Sequence, residues 1–77
     1  MSSKITPIHY RKLLRVFQKL GFVLQREKGD HMVLIKKGIL RPVIIPKYSE
    51  IPVFIVKNNL RTAKISREEY LAILKKI

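Results

Sequence analysis

The chain has two histidines and no cysteine, so acid–base chemistry near neutral pH falls to His9 and His31. His31 closes the run Lys28-Gly29-Asp30-His31, which separates two apolar runs, Phe22-Val23-Leu24 and Met32-Val33-Leu34-Ile35. Lys28-Gly29-Asp30 there reads as a hairpin turn, with His31 at the mouth of the second strand. An imidazole there suits RNA cleavage without water as nucleophile. The ring takes the proton of a 2′-hydroxyl, the oxygen attacks the adjacent phosphorus, and cations balance the phosphate charge. Lys28, Arg26, Lys36 and Lys37 are the candidates for that balance. The five carboxylates are too few and too scattered for a two-metal nuclease, and no His/Cys cluster is spaced for zinc. No metal and no cofactor are therefore expected. Asp30 is able to orient the His31 ring. Neighbours along a strand point to opposite faces, however, so direct pairing is not expected unless the turn curls. The plain alternative is a turn residue bonding its own backbone. For His31 the plain alternative is a polar turn residue, and for His9 a structural or solvated role at the edge of a helix.

The charge points to the partner. Seventeen Lys and Arg against five Asp and Glu leave a net charge of +12 on 77 residues. A field that positive draws in polyanions, which makes nucleic acid the leading partner class ahead of an acidic protein or an anionic membrane. The candidate phosphate contacts are Arg11, Lys12, Arg15, Lys19, Arg26, Lys28, Lys36, Lys37, Arg41 and Lys47. Such contacts contribute affinity and salt dependence but little sequence information. Tyr48 is a stacking candidate for a base, with packing at the edge of the core as its alternative. No apolar run approaches membrane-spanning length and no signal-peptide pattern opens the chain, so a soluble cytoplasmic protein is expected.

The elements that must position these residues follow from periodicity. Residues 1–77 have the length of one domain, held by packing alone. Met1 to Ile5 reads as a loose end. Thr6 and Pro7 are a helix-start signal, N-cap and first position. Tyr10, Leu13, Leu14, Phe17 and Leu20 form an apolar arc, and Arg11, Lys12, Arg15 and Lys19 an opposing cationic one. Gly21 is placed to end that helix. Strands are expected over Phe22 to Arg26, His31 to Lys36 and Leu40 to Ile45, the last starting late or lying at an edge because of Pro42. The middle strand is apolar on both faces, so its second face is either covered or a binding surface. Pro52 opens a second helix through Val53, Val56, Leu60 and Ala63. Ser66 and Glu69 make a capping box for a third, whose apolar face is Tyr70, Leu71, Ile73, Leu74 and Ile77.

In this order the residues resemble the HicA-type toxins of prokaryotic toxin–antitoxin systems. The resemblance rests on Lys19-Leu20-Gly21-Phe22, then on Gln25-Arg26-Glu27-Lys28-Gly29-Asp30-His31 and the apolar strand after it. It continues through Val43-Ile44-Ile45-Pro46, Val56-Lys57, Leu60-Arg61 and Ala63 to Tyr70. It implies an α+β fold like the double-stranded-RNA-binding domain: α-β-β-β-α, one three-stranded antiparallel sheet covered by helices, here with a short extra C-terminal helix. It implies an mRNA-cleaving endoribonuclease with one essential histidine, at His31, and neutralisation by an acidic HicB-type antitoxin that occludes the site. Three places depart from the family pattern. Asp30 stands where a small hydroxyl residue is usual, Pro46-Lys47-Tyr48 lacks a second histidine, and Phe54-Ile55-Val56-Lys57 replaces a Gly-Thr-Leu-Arg helix start. A non-catalytic RNA-binding module of the same fold is the alternative, and the three-strand middle disfavours a helix-turn-helix DNA binder.

Overall fold

A computed structural model describes residues 4–77, so Met1 to Ser3 of the expected loose end lie outside the described residues. The elements run α1 (Tyr10–Lys19), β1 (Val23–Lys28), β2 (His31–Ile35), β3 (Val43–Pro46), α2 (Val53–Ala63) and α3 (Arg67–Leu74). The strands form one antiparallel sheet in the order β1-β2-β3. This is the α+β arrangement expected, and the sheet's inner face is the one the helices cover.

The inner face carries Met32 and Leu34 of β2 with Val43 and Ile45 of β3, and the register sets these residues opposite one another in pairs. Leu13, Val16 and Phe17 of α1 join them, with Ile51, Val56 and Leu60. Val16 belongs to this core although the apolar arc read from the sequence omitted it. Phe17 and Phe22 meet edge to face with centroids 5.3 Å apart. Truncating Phe17 to Ala would cost about 3–5 kcal/mol.

Local chemistry ends the helices as expected. Gly21 has φ 96°, and the N–H groups of Gly21 and Phe22 donate to the carbonyls of Gln18 and Phe17, a paired closure that needs the left-handed backbone. The Ser66–Glu69 capping box is formed in both directions, at 3.0 and 3.1 Å. At the start of α1 the expectation fails. Thr6 and Pro7 do not begin the helix; His9 is the N-cap and Tyr10 the first helical residue. Ile8 is instead buried and paired with Ile51 through two backbone hydrogen bonds of 3.2 and 2.7 Å, which hold this segment extended. Ile5 also packs half-buried against the core rather than hanging free. Likewise Pro52 is the N-cap of α2, not its first residue.

Two strands are displaced from their expected bounds: β1 runs on to Lys28 and β2 stops at Ile35. β3 starts late and lies at an edge, as expected from Pro42, which has no N–H to give to the ladder. β1 also carries a bulge: Leu24 opposes Leu34 but Arg26 opposes Val33, leaving Gln25 as the extra residue.

Candidate active site and nucleic-acid interface

The β1–β2 turn is tighter than the sequence suggested. Only Gly29 and Asp30 form it, with Lys28 and His31 directly opposed as the last strand pair. Gly29 has φ 59° and Asp30 is not left-handed, the pattern of a type II′ hairpin turn. The residue after β3 pins the turn, because the Lys47 N–H donates to the Asp30 carbonyl at 2.8 Å.

The bulge then decides which side chains share a face. Regular alternation from Val23 would set Glu27 opposite His31. The extra residue at Gln25 shifts the register, so Arg26 and Lys28 join His31 on the outer face and Glu27 turns to the inner one. Lys28 lies directly across from His31, and Arg26 is its diagonal neighbour, about 7–8 Å away between Cα atoms. No element among the described residues covers this outer face. It exposes Val23, Ile35 and Ile44, with Val33 half-buried between them, and the His31 side chain stands 49% accessible at its end. The second face of β2 is thus open, which removes the first of the two alternatives left by the sequence, a covered face.

Asp30 contacts His31, contrary to the expectation from strand alternation. Its Oδ1 lies 3.0 Å from His31 Nδ1. Asp30 belongs to the turn rather than to a strand, so alternation does not constrain its side chain.

The other cations divide into four groups. Arg11, Arg15 and the Lys47 side chain line a cleft of about 510 Å³ between α1 and the inner side of the hairpin, with Tyr10, Glu27 and Met32. Glu27 forms an ion pair with Lys47 there, a contact with no local signal because Glu27 lies in β1 and Lys47 follows β3. Lys12 borders a separate hollow of about 230 Å³ with His9, Thr6 and Tyr70. Lys36 and Lys37 follow the far end of β2, about 17 Å along the strand from His31. They lie a strand's length from the turn, whereas Lys28 and Arg26 lie beside His31. Lys19 lies at the same far end, in the last turn of α1 and next to Gly21, which the Lys36 side chain approaches. Arg41 groups with Arg61, Lys64 and the exposed Leu40 around another hollow. Tyr48 is exposed, and its carbonyl accepts the Tyr10 N–H.

His9 has a structural task. Its Nδ1 accepts the Arg11 N–H at 3.1 Å, capping α1, and its ring stacks on Tyr10 with centroids 4.7 Å apart. Below it Tyr70 is fully buried with no hydrogen-bond partner for its hydroxyl, and burial pushes the phenol above its usual value near 10. Among the described residues no three His, Cys, Asp or Glu side chains gather as metal ligands would, and no helix is long and apolar enough to cross a membrane.

Comparison with known proteins follows the same outline. A family model described as the HicA toxin of bacterial toxin-antitoxin matches residues 10–65, from the start of α1 to just beyond α2. That span includes the turn, the open sheet face and the cationic cleft. No curated protein matches the chain.

Proposed function

The chain belongs to the HicA toxin family of bacterial toxin–antitoxin systems, and from that premise we propose that it is an endoribonuclease acting on mRNA in the cytoplasm, with His31 as its general base. The supporting observation is the placement of His31: accessible, on an uncovered sheet face, with Lys28 directly opposite and Arg26 beside it. His31 takes the 2′-hydroxyl proton, the O2′–P bond forms, and the P–O5′ bond breaks. The departing 5′-oxygen is protonated by the imidazolium or by solvent. The products are a 2′,3′-cyclic phosphate and a 5′-hydroxyl end. Lys28 and Arg26 stabilise the charge that builds on the phosphoryl oxygens. Arg11, Arg15 and Lys47 hold flanking phosphates around the rim of the hairpin, a sequence-independent grip. The reaction needs no metal.

Neutralisation belongs to the same reading. An acidic antitoxin of the HicB type covers the outer face, its apolar side chains on Val23, Val33, Ile35 and Ile44 and its carboxylates on Arg26 and Lys28. Complementary charge accelerates and directs the encounter, while the apolar strip supplies buried area.

The test is cleavage of RNA by purified wild type and His31→Ala, with and without EDTA, followed by end-group analysis. Cutting by wild type alone, unaffected by EDTA and leaving cyclic phosphates, is expected. Equal cutting by both proteins, or 5′-phosphate ends, overturns the mechanism. RNA binding without cutting by either protein would make this a binding module.

A further inference from the structure

We infer that Asp30 is a positioning residue for His31, holding the ring with its proton on Nδ1 and leaving Nε2 as the base; this rests on the ribonuclease reading of His31. The 3.0 Å contact joins Asp30 Oδ1 to Nδ1. An ionised carboxylate only accepts hydrogen bonds, so the nitrogen facing it carries the proton. The lone pair of the neutral ring is then on Nε2, the nitrogen left free to meet a hydroxyl. Without Asp30 the ring is free to adopt the other tautomer, whose Nε2 is a donor and cannot take the proton.

The scaffold supports this role. Two anchors hold Asp30: the turn at Gly29, and the Lys47 N–H on the Asp30 carbonyl at 2.8 Å. Its side chain is 78% exposed and that of His31 49%. A pair so open to water contributes little to stability, so its effect lies in where the proton sits. His9 supplies an internal contrast. Its Nδ1 accepts the Arg11 N–H and therefore lacks a proton, so the two neutral rings carry opposite tautomers in one molecule.

The experiment uses the full chain labelled with ¹⁵N, and long-range ¹H–¹⁵N correlation at a pH where both rings are neutral. In wild type, His31 reports the Nδ1–H form and His9 the Nε2–H form. In Asp30→Ala, His31 moves toward a mixture while His9 is unchanged; in Asp30→Glu the His31 pattern returns at least in part. Cleavage by Asp30→Ala falls roughly tenfold in kcat with KM unchanged, because Asp30 does not touch the substrate. Asp30 is exposed, so the variant keeps its core, which circular dichroism checks. An unchanged His31 tautomer in Asp30→Ala, or a kcat equal to or above wild type, overturns the inference. The two readings fail separately. A His31→Ala variant that still cuts RNA removes the ribonuclease reading and this inference with it. An inactive His31→Ala beside a fully active Asp30→Ala removes the inference alone.

Discussion

The two histidines occupy opposite kinds of site, although each bonds a residue within two positions of itself. His9 accepts a backbone N–H at the start of a helix, stacks on Tyr10 and stands over a buried tyrosine. His31 meets a carboxylate at a hairpin tip, beside two cations and an open apolar face. One imidazole spends its acceptor nitrogen on a helix cap; the other is held by one nitrogen and free at the second. Residue type therefore says little about role here. What differs is which atom the backbone presents to the ring, and what the sheet register places alongside.

The sharpest way to break this contrast is to delete each ring. His31→Ala should lower RNA cleavage at least about 100-fold while unfolding free energy stays within about 0.5 kcal/mol of wild type. His9→Ala should keep wild-type cleavage. Cleavage assays beside urea melts decide it, and reversed results would exchange the two roles.

A second test separates the cations at the turn from those of the α1 cleft. Lys28→Ala should reduce kcat by weakening charge stabilisation at the reacting phosphate. Arg11→Ala combined with Arg15→Ala should weaken RNA binding across sequences and reduce the salt slope by about 0.7 for each phosphate no longer neutralised. Binding titrations over a range of salt concentrations distinguish these, and an unchanged slope would take RNA out of the α1 cleft.

The remaining effects lie on the stability side. His9→Ala should cost about 1 kcal/mol by removing the cap, and His9→Asn should restore most of it. Denaturant titration reads both, and equal stability of His9→Ala and wild type would mean the cap carries nothing. The smallest effect belongs to Tyr70. Folded Tyr70 resists ionisation because burial disfavours the charged form, whereas the unfolded chain ionises near pH 10. Its contribution is thus fully present below about pH 10 and is lost as pH rises through the raised value. Tyr70→Phe should be neutral or slightly stabilising at pH 7, since the hydroxyl has no partner. Thermal melts above pH 10 should show the variant losing less stability than wild type.

Most of the architecture was legible because it rests on short-range pairings. The Gly21 helix end, the Ser66–Glu69 box and the Gly29 turn each close within a few residues, so residue types at fixed offsets suffice to expect them. The second face of β2 was legible as a question, since four consecutive apolar residues cannot all face one core. The start of α1 was not legible. Thr6 and Pro7 carry a genuine local preference, and the Ile8–Ile51 pairing overrides it with two hydrogen bonds from a segment far along the chain. The candidate site divides similarly. His31, Lys28, Lys36 and Lys37 were all singled out by type and spacing, and only the strand bounds show that Lys36 and Lys37 lie at the opposite end of β2 from His31.

By itself, then, the sequence determined the element order and the turn at Gly29, and it singled out His31 as a candidate, because each depends on neighbours in the chain. Only the tertiary structure decided what surrounds that histidine. The bulge at Gln25 turned Lys28 and Arg26 toward His31 and Glu27 away, through a register set by the partner strand. The Lys47 N–H, just past β3, fixed the Asp30 backbone. An alternating pattern cannot reveal where alternation breaks, since one extra residue inverts every side chain that follows it.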